Sequence, residues 1–416
     1  MKQAYQYKLL PNTEQKKQID RWLELLRHQY NYLLGDRFAW WQENRNDVVL
    51  PQGEFCQIAC TLLPTELRNN PDYYSQSASL PALKQERPWY KEIYSQVLQD
   101  AVKRVQLAFE RFLKGDYKGK RSGKPRFKHK NRYRTFTYPQ AKDNWIHGNK
   151  IKFPKLGLIK FIQHRCFNDG CALKTASITK KADGYYVTFV VEDNSIPDFE
   201  PDLTATKDNS IAIDCGLEKL YVDDKGARVL PQKFFRKAEE KLAKLQRKLA
   251  DDKRCKKAKK LLRQRIAQLH QKIARQRRQW HFEEAKKLCF KADVIFVEDL
   301  QIANLRRKNK PKKEDGKFVA NGQSAKSGLN KSFSDCGIAQ FLEILSHQAQ
   351  KFGNKIVKVN PRRTSQVCYN CLNSVPKTLC DRWHNCPHCQ VSLDRDECSA
   401  KLIKKVGLGI ASLKNA

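Results

Sequence analysis

Four cysteines near the C-terminus constrain the fold of this chain more tightly than any other feature of its sequence. Cys368 and Cys371 form one Cys-x2-Cys pair, Cys386 and Cys389 form a second, and fourteen residues separate the two pairs. Two such pairs at this spacing supply four thiolates for a tetrahedral zinc ion. Because four protein ligands leave no open coordination position for water, the predicted zinc is structural and has no role in hydrolysis.

Disulfide bonds are the alternative use for these thiols, since the chain has fourteen cysteines. Disulfides are disfavoured because the N-terminal residues carry no secretion signal and because five cysteines lie between 368 and 389. Three nearby residues compete as zinc ligands, of which the histidine at 384 is expected to pack or to contact phosphate: Cys380, His384 and His388. Other cysteines are expected to be buried thiols, among them Cys56, Cys60, Cys289 and Cys336.

The charge of the chain points to a polyanionic partner. It has 81 lysines and arginines against 44 aspartates and glutamates, a formal charge of +37, which is far more than solubility requires. Nucleic acid is the expected partner, because neutralised phosphates release counterions and so supply affinity for any base sequence. A basic protein of the ribosomal or chromatin type is an alternative that charge alone does not exclude.

The hydrophobic content predicts a folded protein without a membrane partner. At 40% hydrophobic residues the chain can bury real cores, and its length suggests roughly two to four structural units. No run of residues approaches the length of an apolar membrane span. With no secretion signal, this predicts a soluble protein of the cytoplasm or nucleoid.

The N-terminal part of the chain reads as a strand followed by helices. Residues 2–10 alternate as a strand, and a helix follows for which Thr13 is the predicted N-cap. Apolar residues recur in that helix at steps of three and four and form its buried face: Ile19, Leu23, Leu26, Tyr30 and Leu33. A polar stretch near 42–87 leads to a second amphipathic helix that ends at Gly115.

A basic segment and a β unit follow this helical part. Residues 118–135 carry nine lysines or arginines with Phe127 and Tyr133 between them, which suits either a surface that tracks nucleic acid or a solvated loop. Short alternating runs between 135 and 194, with a hairpin at Gly184, predict a small antiparallel β unit. The N-terminal strand is expected to complete this unit as a barrel.

A new domain is predicted to begin near residue 208, where SIAIDCGLEKLYVDDKG reads as two strands around a turn. Two amphipathic helices over 231–281 then form a hairpin. Between Arg236 and Arg278 lie 18 basic and four acidic residues, so its outer faces are expected to bind phosphates, although an exposed charged helix pair fits the same pattern.

The last part of the chain alternates strands with helices. VIFVEDL reads as a buried strand, and the basic stretch from Arg306 to Lys317 with the Gly/Ser-rich residues after it is predicted to be a mobile loop. A helix near 335–352, the strand KIVKVN, the cysteine cluster and a closing helix from about 396 follow.

Three carboxylates at the ends of predicted elements suggest a second metal site. Asp214 follows the apolar strand IAI, Glu298 follows VIFV, and Asp396 comes just after the cysteine cluster. Phosphodiester hydrolysis employs two hard cations about 4 Å apart, for which carboxylates are natural ligands. An acid after an apolar strand is more often a turn or cap residue, so each acid by itself is weak evidence.

The order of these motifs resembles that of the TnpB proteins of bacterial insertion sequences, which are relatives of the type V CRISPR effectors. The resemblance lies in IAIDCGL, the basic helical hairpin, HFEEAKKL, VIFVEDL, PRRTSQVCYNC, CPHC and DRDECSA, and is most specific from about residue 208 onward. RPWYKEIYSQVLQDAVKRVQLAFERFLKG and KPRFKHK extend it toward the N-terminus, so that it covers nearly the whole chain.

The resemblance implies a multidomain α+β architecture. A helical recognition lobe is expected to be inserted in a wedge-like β-barrel, with 13–115 as the lobe and 1–12 and 116–200 as the barrel. A RuvC-like RNase H fold of the α/β type is expected to follow, with an inserted zinc ribbon. Its bounds are 208–365 and 392–416 for the nuclease domain and 366–391 for the ribbon.

The resemblance also implies a function, namely RNA-guided cleavage of DNA for a transposable element. The expected partners are a guide RNA from its own element and a double-stranded DNA target, and the default assembly is a monomer on its RNA. The catalytic acids that bind magnesium fall on Asp214, Glu298 and Asp396, with Asp299 and Asp394 as weaker candidates. Magnesium is thus the expected catalytic cofactor and zinc the structural one.

Two departures from the family pattern lie beside the acids. Cys215 stands where an aliphatic residue is typical, and Glu397-Cys398-Ser399 stands where Asn and Ala are expected. Neither removes an acid, but the second predicts altered helix packing beside Asp396.

Two other functions remain as alternatives. An RNA-guided DNA-binding repressor without cleavage would be expected to lose at least one of the three acids, and all three are present. An enzyme that moves DNA directly would need a tyrosine with two histidines in a recognisable motif, which the sequence does not offer.

Overall fold

The computed structural model describes residues 1–43, 69–116, 119–168, 170–196, 201–251, 253–314, 316–378 and 380–413. The chain separates into two compact units, Met1–Ser195 and Ile196–Ala416, each with its own hydrophobic core. Cys289 and Cys336 are buried as predicted, whereas Cys56 and Cys60 lie outside the described residues. No helix within the described ranges is long and apolar enough to cross a membrane.

The described part of the first unit contains a seven-stranded antiparallel sheet that forms a half-barrel. Its strands are β1 (Lys2–Leu10), β2 (Thr135–Tyr138), β3 (Ile146–His147), β4 (Lys150–Phe153), β5 (Gly157–Ile162), β6 (Cys171–Lys181) and β7 (Gly184–Asp193). They lie in the order β2-β6-β7-β1-β5-β4-β3, so that the N-terminal strand runs between β7 and β5. The β6–β7 hairpin turns at Gly184, where φ is +136°.

Alternation in β1 builds the centre of the first core. Tyr5, Tyr7 and Leu9 face inward and are almost fully buried. The ring of Tyr7 lies 5.3 Å from that of Phe161 and 5.8 Å from that of Phe189. Because a one-residue slip would turn these rings outward, the aromatic layer fixes the register of β1.

The helices of the first unit share its hydrophobic core with this sheet, and the first begins differently from the prediction. They are α1 (Thr13–Glu43), α2 (Tyr73–Ala78), α3 (Leu80–Glu86) and α4 (Ser95–Leu113). The prediction that Thr13 caps α1 is wrong, since Thr13 is already helical. Asn12 caps instead: its Oδ1 accepts the Gln15 N–H at 2.7 Å, and Gln15 Oε1 accepts the Asn12 N–H at 3.1 Å, a reciprocal capping box.

The predicted apolar face of α1 is confirmed, because all five of its residues are buried: Ile19, Leu23, Leu26, Tyr30 and Leu33. Part of the stretch 42–87, read from sequence as a polar connection, is helical, since it contains α2 and α3.

The two aromatic residues of the basic segment 118–135 have different surroundings. Phe127 is 49% exposed, but Tyr133 is only 8% exposed. Tyr133 packs against Tyr30 and lies beneath the Arg104 guanidinium. Tyr133 is therefore part of the core of the first unit and is not available to a surface that tracks nucleic acid.

The second unit is built on a mixed five-stranded sheet. The described strands of the whole unit are β8 (Ser210–Asp214), β9 (Tyr221–Asp223), β10 (Arg228–Val229), β11 (Val294–Glu298), β12 (Lys312–Glu314), β13 (Lys317–Val319), β14 (Lys355–Val359), β15 (Trp383–Asn385) and β16 (Ser392–Asp394). The main sheet has the order β10-β9-β8-β11-β14. β8, β9 and β10 form an antiparallel meander, while β8, β11 and β14 are parallel.

Helices cover both faces of this sheet. They are α5 (Phe234–Ala250), α6 (Lys256–Lys291), α7 (Ile302–Leu305), α8 (Gln323–Cys336), α9 (Ile338–Phe352) and α10 (Arg395–Gly407). α5 packs on α6 as the predicted hairpin. One face of the sheet packs on α6 and α9 through Ile211, Ile213, Ile295, Val297, Leu288, Phe341 and Leu345. The other face packs on α10 through Ala212, Val294, Phe296, Val359 and Ile403.

The region after α7 contains more secondary structure than the sequence suggests. The basic stretch from Arg306 to Lys317 was predicted to be a mobile loop with the residues after it. In the structure it contains β12 and the first residue of β13, which pair as a hairpin, and α8 follows at Gln323. The loop prediction is wrong here because a polar helix such as α8 has no strong apolar periodicity to reveal it.

A buried histidine lies where α6 meets the start of α9. His281 is inaccessible to solvent, and its Nε2 lies 3.0 Å from the carbonyl oxygen of Cys336. Within the described residues its Nδ1 has no hydrogen-bond partner. Burial lowers the pKa of His281 to about 4, although the bond to Cys336 opposes this shift. The folded chain therefore holds His281 neutral, with Nε2–H as the donor.

We expect the second unit to lose stability as the pH falls from about 6.5 to about 4. In this window the unfolded chain binds a proton at residue 281 and the folded chain does not, which lowers the free energy of unfolding by roughly 3 kcal/mol. His281→Gln keeps an N–H for the Cys336 carbonyl and should remove this part of the loss. Urea unfolding at several pH values measures the difference from wild type.

The matched control for this measurement is His270→Gln, since His270 lies on the same helix but is exposed. It should leave the pH profile unchanged. Identical profiles for His281→Gln and wild type would contradict the buried neutral histidine.

Candidate functional site

Two acidic side chains lie side by side where neighbouring parallel strands end. Asp214 is the last residue of β8 and Glu298 the last of β11. Ile213 stands opposite Val297, so the next step along both strands brings Asp214 beside Glu298, with about 4.8 Å between the strands. Alternation puts both acids on the face of the sheet that α10 covers.

The helix α10 brings a third acid to the same end of the sheet. Lys404 Nζ on α10 donates to Asp224 Oδ2 at 2.9 Å and to the carbonyl of Ser210, the first residue of β8, at 2.8 Å. Asp396 lies eight residues earlier on the helix, roughly 12 Å along its axis. The four steps of β8 from Ser210 to Asp214 span roughly 13 Å. Asp396 is thereby carried to the level of Asp214.

The close approach of α10 to the sheet depends on a glycine. A Cβ atom at Gly407 would lie 2.2 Å from the ring of Phe296 on β11. A side chain there would push the helix away from the sheet and carry Asp396 with it.

The electrostatics of the three acids reflect their proximity. Burial raises the pKa of Asp214 well above its usual value, and the charges of Glu298 and Asp396 raise it further, against Arg395 and Lys219. Burial also raises the pKa of Glu298, which is 9% exposed. We name Asp214, Glu298 and Asp396 the carboxylate cluster. Since like charges here repel at low local dielectric, a bound cation would relieve the repulsion.

Asp394 has a different task from Asp396. Asp394 is the N-cap of α10, and its side chain accepts from the backbone N–H groups of Asp396 at 3.0 Å and Glu397 at 3.4 Å. Both of its carboxylate oxygens also accept from Lys219, at 2.8 and 2.9 Å. Although burial raises it, the contacts with Lys219 hold the pKa of Asp394 below its usual value. The Asp394 carboxylate therefore has a structural role, in which it caps α10 and binds Lys219.

Lys219 and Thr364 contact the acids, and sequence reasoning missed both. Lys219 Nζ donates to Asp396 Oδ2 at 3.0 Å as well as to Asp394. The buried Thr364 hydroxyl donates to Glu298 Oε1 at 2.6 Å, which orients that carboxylate. No periodicity or spacing marks either residue, although Thr364 lies in the quoted motif PRRTSQVCYNC.

Asp299, a weaker candidate, lies apart from the cluster. Its side chain is 50% exposed and is 3.5 Å from Lys358 Nζ. It follows the strand end by one residue, so strand alternation turns it away from the face of Glu298.

The family departures beside the acids are accommodated. Cys398 is buried, and the Ser399 hydroxyl donates to the Arg395 carbonyl one turn back, while α10 continues unbroken to Gly407. The predicted disturbance of helix packing is therefore absent from α10 itself. Burial raises the pKa of Cys215 well above its usual value, so this thiol stays neutral.

The four predicted zinc ligands meet in one place. The Sγ atoms of Cys368, Cys371, Cys386 and Cys389 all lie within 4.8 Å of one another. The distances are 3.6 Å between Cys368 and Cys389 and 3.4 Å between Cys371 and Cys386. Tetrahedral Zn–S bonds of about 2.3 Å require sulfurs about 3.8 Å apart, so the cluster fits zinc after small changes in the distances between its sulfurs.

The nearby competitors do not join this cluster. Cys380 and His388 are exposed, and His384 is fully buried. Neither ring nitrogen of His384 has a hydrogen-bond partner among the described residues. His384 therefore packs in the interior and does not contact phosphate, and the four cysteines form the cluster without it.

Models of three families match separate parts of the chain. One described as a probable transposase matches residues 189–309, and one described as a Cas12f1-like TNB domain matches 339–403. These two ranges contain the three acids and the four cysteines. A helix-turn-helix domain matches residues 1–46, of which 1–43 fold here as a strand and a single long helix.

Curated relatives extend over most of the chain. The InsQ protein of Escherichia coli K12, whose name proposes an RNA-guided DNA endonuclease, is 27% identical over 288 residues, which are 69% of this chain and 67% of that protein. A protein of Streptomyces pristinaespiralis with the same description is 23% identical over 99% of this chain and 91% of its own length. TnpB-like protein L79 of Acanthamoeba polyphaga mimivirus is 27% identical over 36% and 27% of the two chains.

These matches support the resemblance to the TnpB family that the motifs indicate.

Solved structures also align with this chain. CasPhi-2 (Cas12j) bound to crRNA and phosphorothioate-DNA aligns over 100% of this chain and 93% of its own, at 10% identity and a TM-score of 0.42. A Cas12f1-sgRNA-target DNA complex aligns over 97% and 99%, at 14% identity and a TM-score of 0.31. TM-scores this low do not establish a shared overall fold.

We expect the purified protein to carry about one zinc ion per chain in its cysteine cluster. Cys371→Ser removes one of four ligands and should abolish zinc retention and destabilise the second unit, because structural zinc contributes directly to folding. Elemental analysis and thermal unfolding measure both effects. Cys380→Ser is the matched control, since Cys380 is nearby but exposed, and it should retain the metal. Full zinc content in Cys371→Ser would refute the assignment.

We expect substitutions at Asp394 and Asp396 to affect stability differently. Asp394→Ala removes the N-cap of α10 and should lower the free energy of unfolding by roughly 1–2 kcal/mol. Asp394→Asn still caps α10 and should lower the free energy of unfolding by less. Asp396→Ala should also lose less than Asp394→Ala, because it relieves repulsion within the carboxylate cluster. Urea unfolding of zinc-loaded protein without magnesium gives the order, and the reverse order would contradict these roles.

Proposed function

We propose that this chain is an RNA-guided DNA endonuclease of a transposable element, which hydrolyses target DNA after guide RNA pairing. Two curated relatives carry names that propose this activity, and they match 69% and 99% of the chain. The match to a family described as a probable transposase supports the link to mobile elements.

The observation that carries the proposal is the convergence of Asp214, Glu298 and Asp396 at one end of the sheet. The charges of Glu298 and Asp396 both act on Asp214, although the three residues come from distant parts of the sequence. Turn and cap residues have no reason to converge in this way. The proposed catalytic residues are these three acids.

The donor set of the carboxylate cluster fits magnesium. Carboxylate oxygens are the ligands that magnesium prefers, and burial makes an uncompensated cluster electrostatically costly. Bound there, divalent ions would supply an activated water and stabilise the leaving oxygen of a phosphodiester. The surrounding residues orient the acids: Thr364 holds Glu298, and Lys219 neutralises part of the charge of Asp396.

The domain assignment that we propose follows the sequence bounds. Residues 208–365 and 392–416 form a RuvC-like RNase H domain, and 366–391 form a zinc ribbon inserted in it. Residues 13–115 form a helical recognition lobe in a wedge-like β-barrel made of 1–12 and 116–200. The half-barrel sheet, the mixed sheet of the second unit and the four-cysteine cluster support this assignment.

The proposed partners are a guide RNA from the same element and a double-stranded DNA target. The net charge of +37 supports nucleic-acid partners, because the chain can neutralise many phosphates. Base pairing would select the sequence while the protein holds the heteroduplex by its backbone. We propose a monomer on its RNA as the working assembly.

The test is guided cleavage of a target plasmid library by protein expressed with its adjacent transcript. We expect wild-type protein to cut matched plasmids in magnesium and to stop when the metal is chelated. Asp214→Ala, Glu298→Ala and Asp396→Ala should each bring cleavage below detection, because each removes a proposed metal ligand. Gel-shift assays should show that the three variants still bind guided targets.

Asp299→Ala is the matched control, because this exposed acid is the direct neighbour of Glu298. It should cut as wild type does. Cleavage that survives Asp214→Ala would defeat the catalytic assignment. Wild-type protein that binds guided targets in magnesium without cutting them would establish the repressor instead.

A further inference from the structure

A short hairpin made of β12 and β13 begins fourteen residues after Glu298. All three residues of β12 and the first two of β13 are exposed. Phe318 on β13 is 72% exposed. A single exposed aromatic ring is common on protein surfaces and means little by itself. Here, however, the basic residues around Phe318 and the hydrogen bonds at the base of the hairpin indicate a binding surface.

The hairpin is strongly basic. Seven of the twelve residues from Arg306 to Lys317 are lysine or arginine and two are acidic. Lys313 stands opposite Phe318 in the register, with its Nζ 4.7 Å from the centre of the ring. A cation for phosphate and an open ring for a base are therefore adjacent, which is the combination by which proteins hold single-stranded nucleic acid.

The base of the hairpin is clamped. Asn309 Nδ2 donates to the Asn321 carbonyl at 2.7 Å, and Asn321 Nδ2 donates to the Lys310 carbonyl at 2.9 Å. The Asn309 N–H also donates to Gln323 Oε1 at 3.0 Å. A two-stranded hairpin is only marginally stable by itself, so these bonds present Phe318 from a preorganised base.

Helix α8 anchors the segment that leads into the hairpin. Lys326 Nζ donates to the Leu305 carbonyl at 2.7 Å, and Asn330 Nδ2 donates to the Arg306 carbonyl at 3.0 Å. Arg306 is eight residues past Glu298, so the hairpin leaves the sheet at the end where Glu298 lies.

We propose that this hairpin binds single-stranded DNA, with one base stacked on Phe318 and neighbouring phosphates contacted by Lys313 and the other lysines. Bases inside a duplex are already stacked on their neighbours, so an exposed ring selects an unpaired base. The inference rests on the proposed function, in which an unwound DNA strand must reach the carboxylate cluster. The hairpin is the surface that holds that strand beside the cluster.

The test uses an oligothymidylate of about 16 nucleotides that carries one 2-aminopurine, and it measures binding to the full, zinc-loaded chain in buffer without magnesium. The fluorescence of 2-aminopurine is quenched when it stacks, so it reports stacking separately from phosphate binding at other basic surfaces. We expect Phe318→Ala to lose quenching and to weaken binding about tenfold, with an unchanged salt dependence. Phe318→Trp should restore both, and circular dichroism should show an unchanged fold.

The matched control is Phe290→Ala, because Phe290 is 69% exposed and has Lys286 over its ring but packs against Phe352. It should behave as wild type. Wild-type quenching and affinity in Phe318→Ala would overturn the proposal. An equal loss with duplex DNA would overturn base stacking, and a loss confined to single-stranded RNA would overturn the choice of DNA.

Failure of the hairpin proposal and failure of the nuclease proposal are distinguishable, since binding is measured without magnesium. If guided cleavage is intact but oligothymidylate binding is the same in Phe318→Ala as in wild type, the hairpin proposal alone fails. If binding depends on Phe318 but no cleavage occurs in magnesium, the hairpin proposal stands and the nuclease proposal alone fails.

Discussion

The parallel pairing of β8 with β11 is the constraint on which the rest of the site depends. It aligns the ends of two strands that are far apart in the sequence, so that Asp214 and Glu298 leave the sheet side by side. α10 then lies across the same face, held by Lys404 and allowed by Gly407, and adds Asp396. Bringing three carboxylates together costs free energy, which the two packed faces of the sheet offset. A site that is unfavourable for the metal-free fold is what a cation-dependent function requires.

The segment that carries the cysteine cluster helps to position Asp396. The short strand β16 pairs with β15 beside the second cysteine pair and runs directly into α10. Its last residue, Asp394, caps the helix and binds Lys219, so the position of Asp396 depends on the folding of the cysteine-bearing segment. A structural metal in the cysteine cluster would thereby be coupled through a few residues to the orientation of a proposed catalytic acid, although the two sites share no ligand.

Basic charge and exposed aromatic rings serve the same partner in different ways. Lysines and arginines supply affinity for any phosphate, whereas a ring such as Phe318 distinguishes an unpaired base from a stacked one. The same composition also misleads, since Tyr133 lies among basic residues but belongs to the core of the first unit. The proposed metal-dependent nuclease accounts for a chain that is strongly basic and also carries buried acids.

The sequence by itself determined the features that are encoded locally. Spacing within a few residues identifies the apolar runs of β8 and β11, the buried face of α1 and the two cysteine pairs. Local position after an apolar strand or after the cysteine cluster also marks the three acids as candidates. Only the tertiary structure decided that Asn12 rather than Thr13 caps α1, that the segment after Glu298 forms a clamped hairpin, and that Lys219 and Thr364 orient the acids. These outcomes depend on contacts between residues distant in sequence, or on a choice between adjacent polar residues of similar propensity. No local pattern distinguishes Asp394 from Asp396; the direction of α10 on the sheet does.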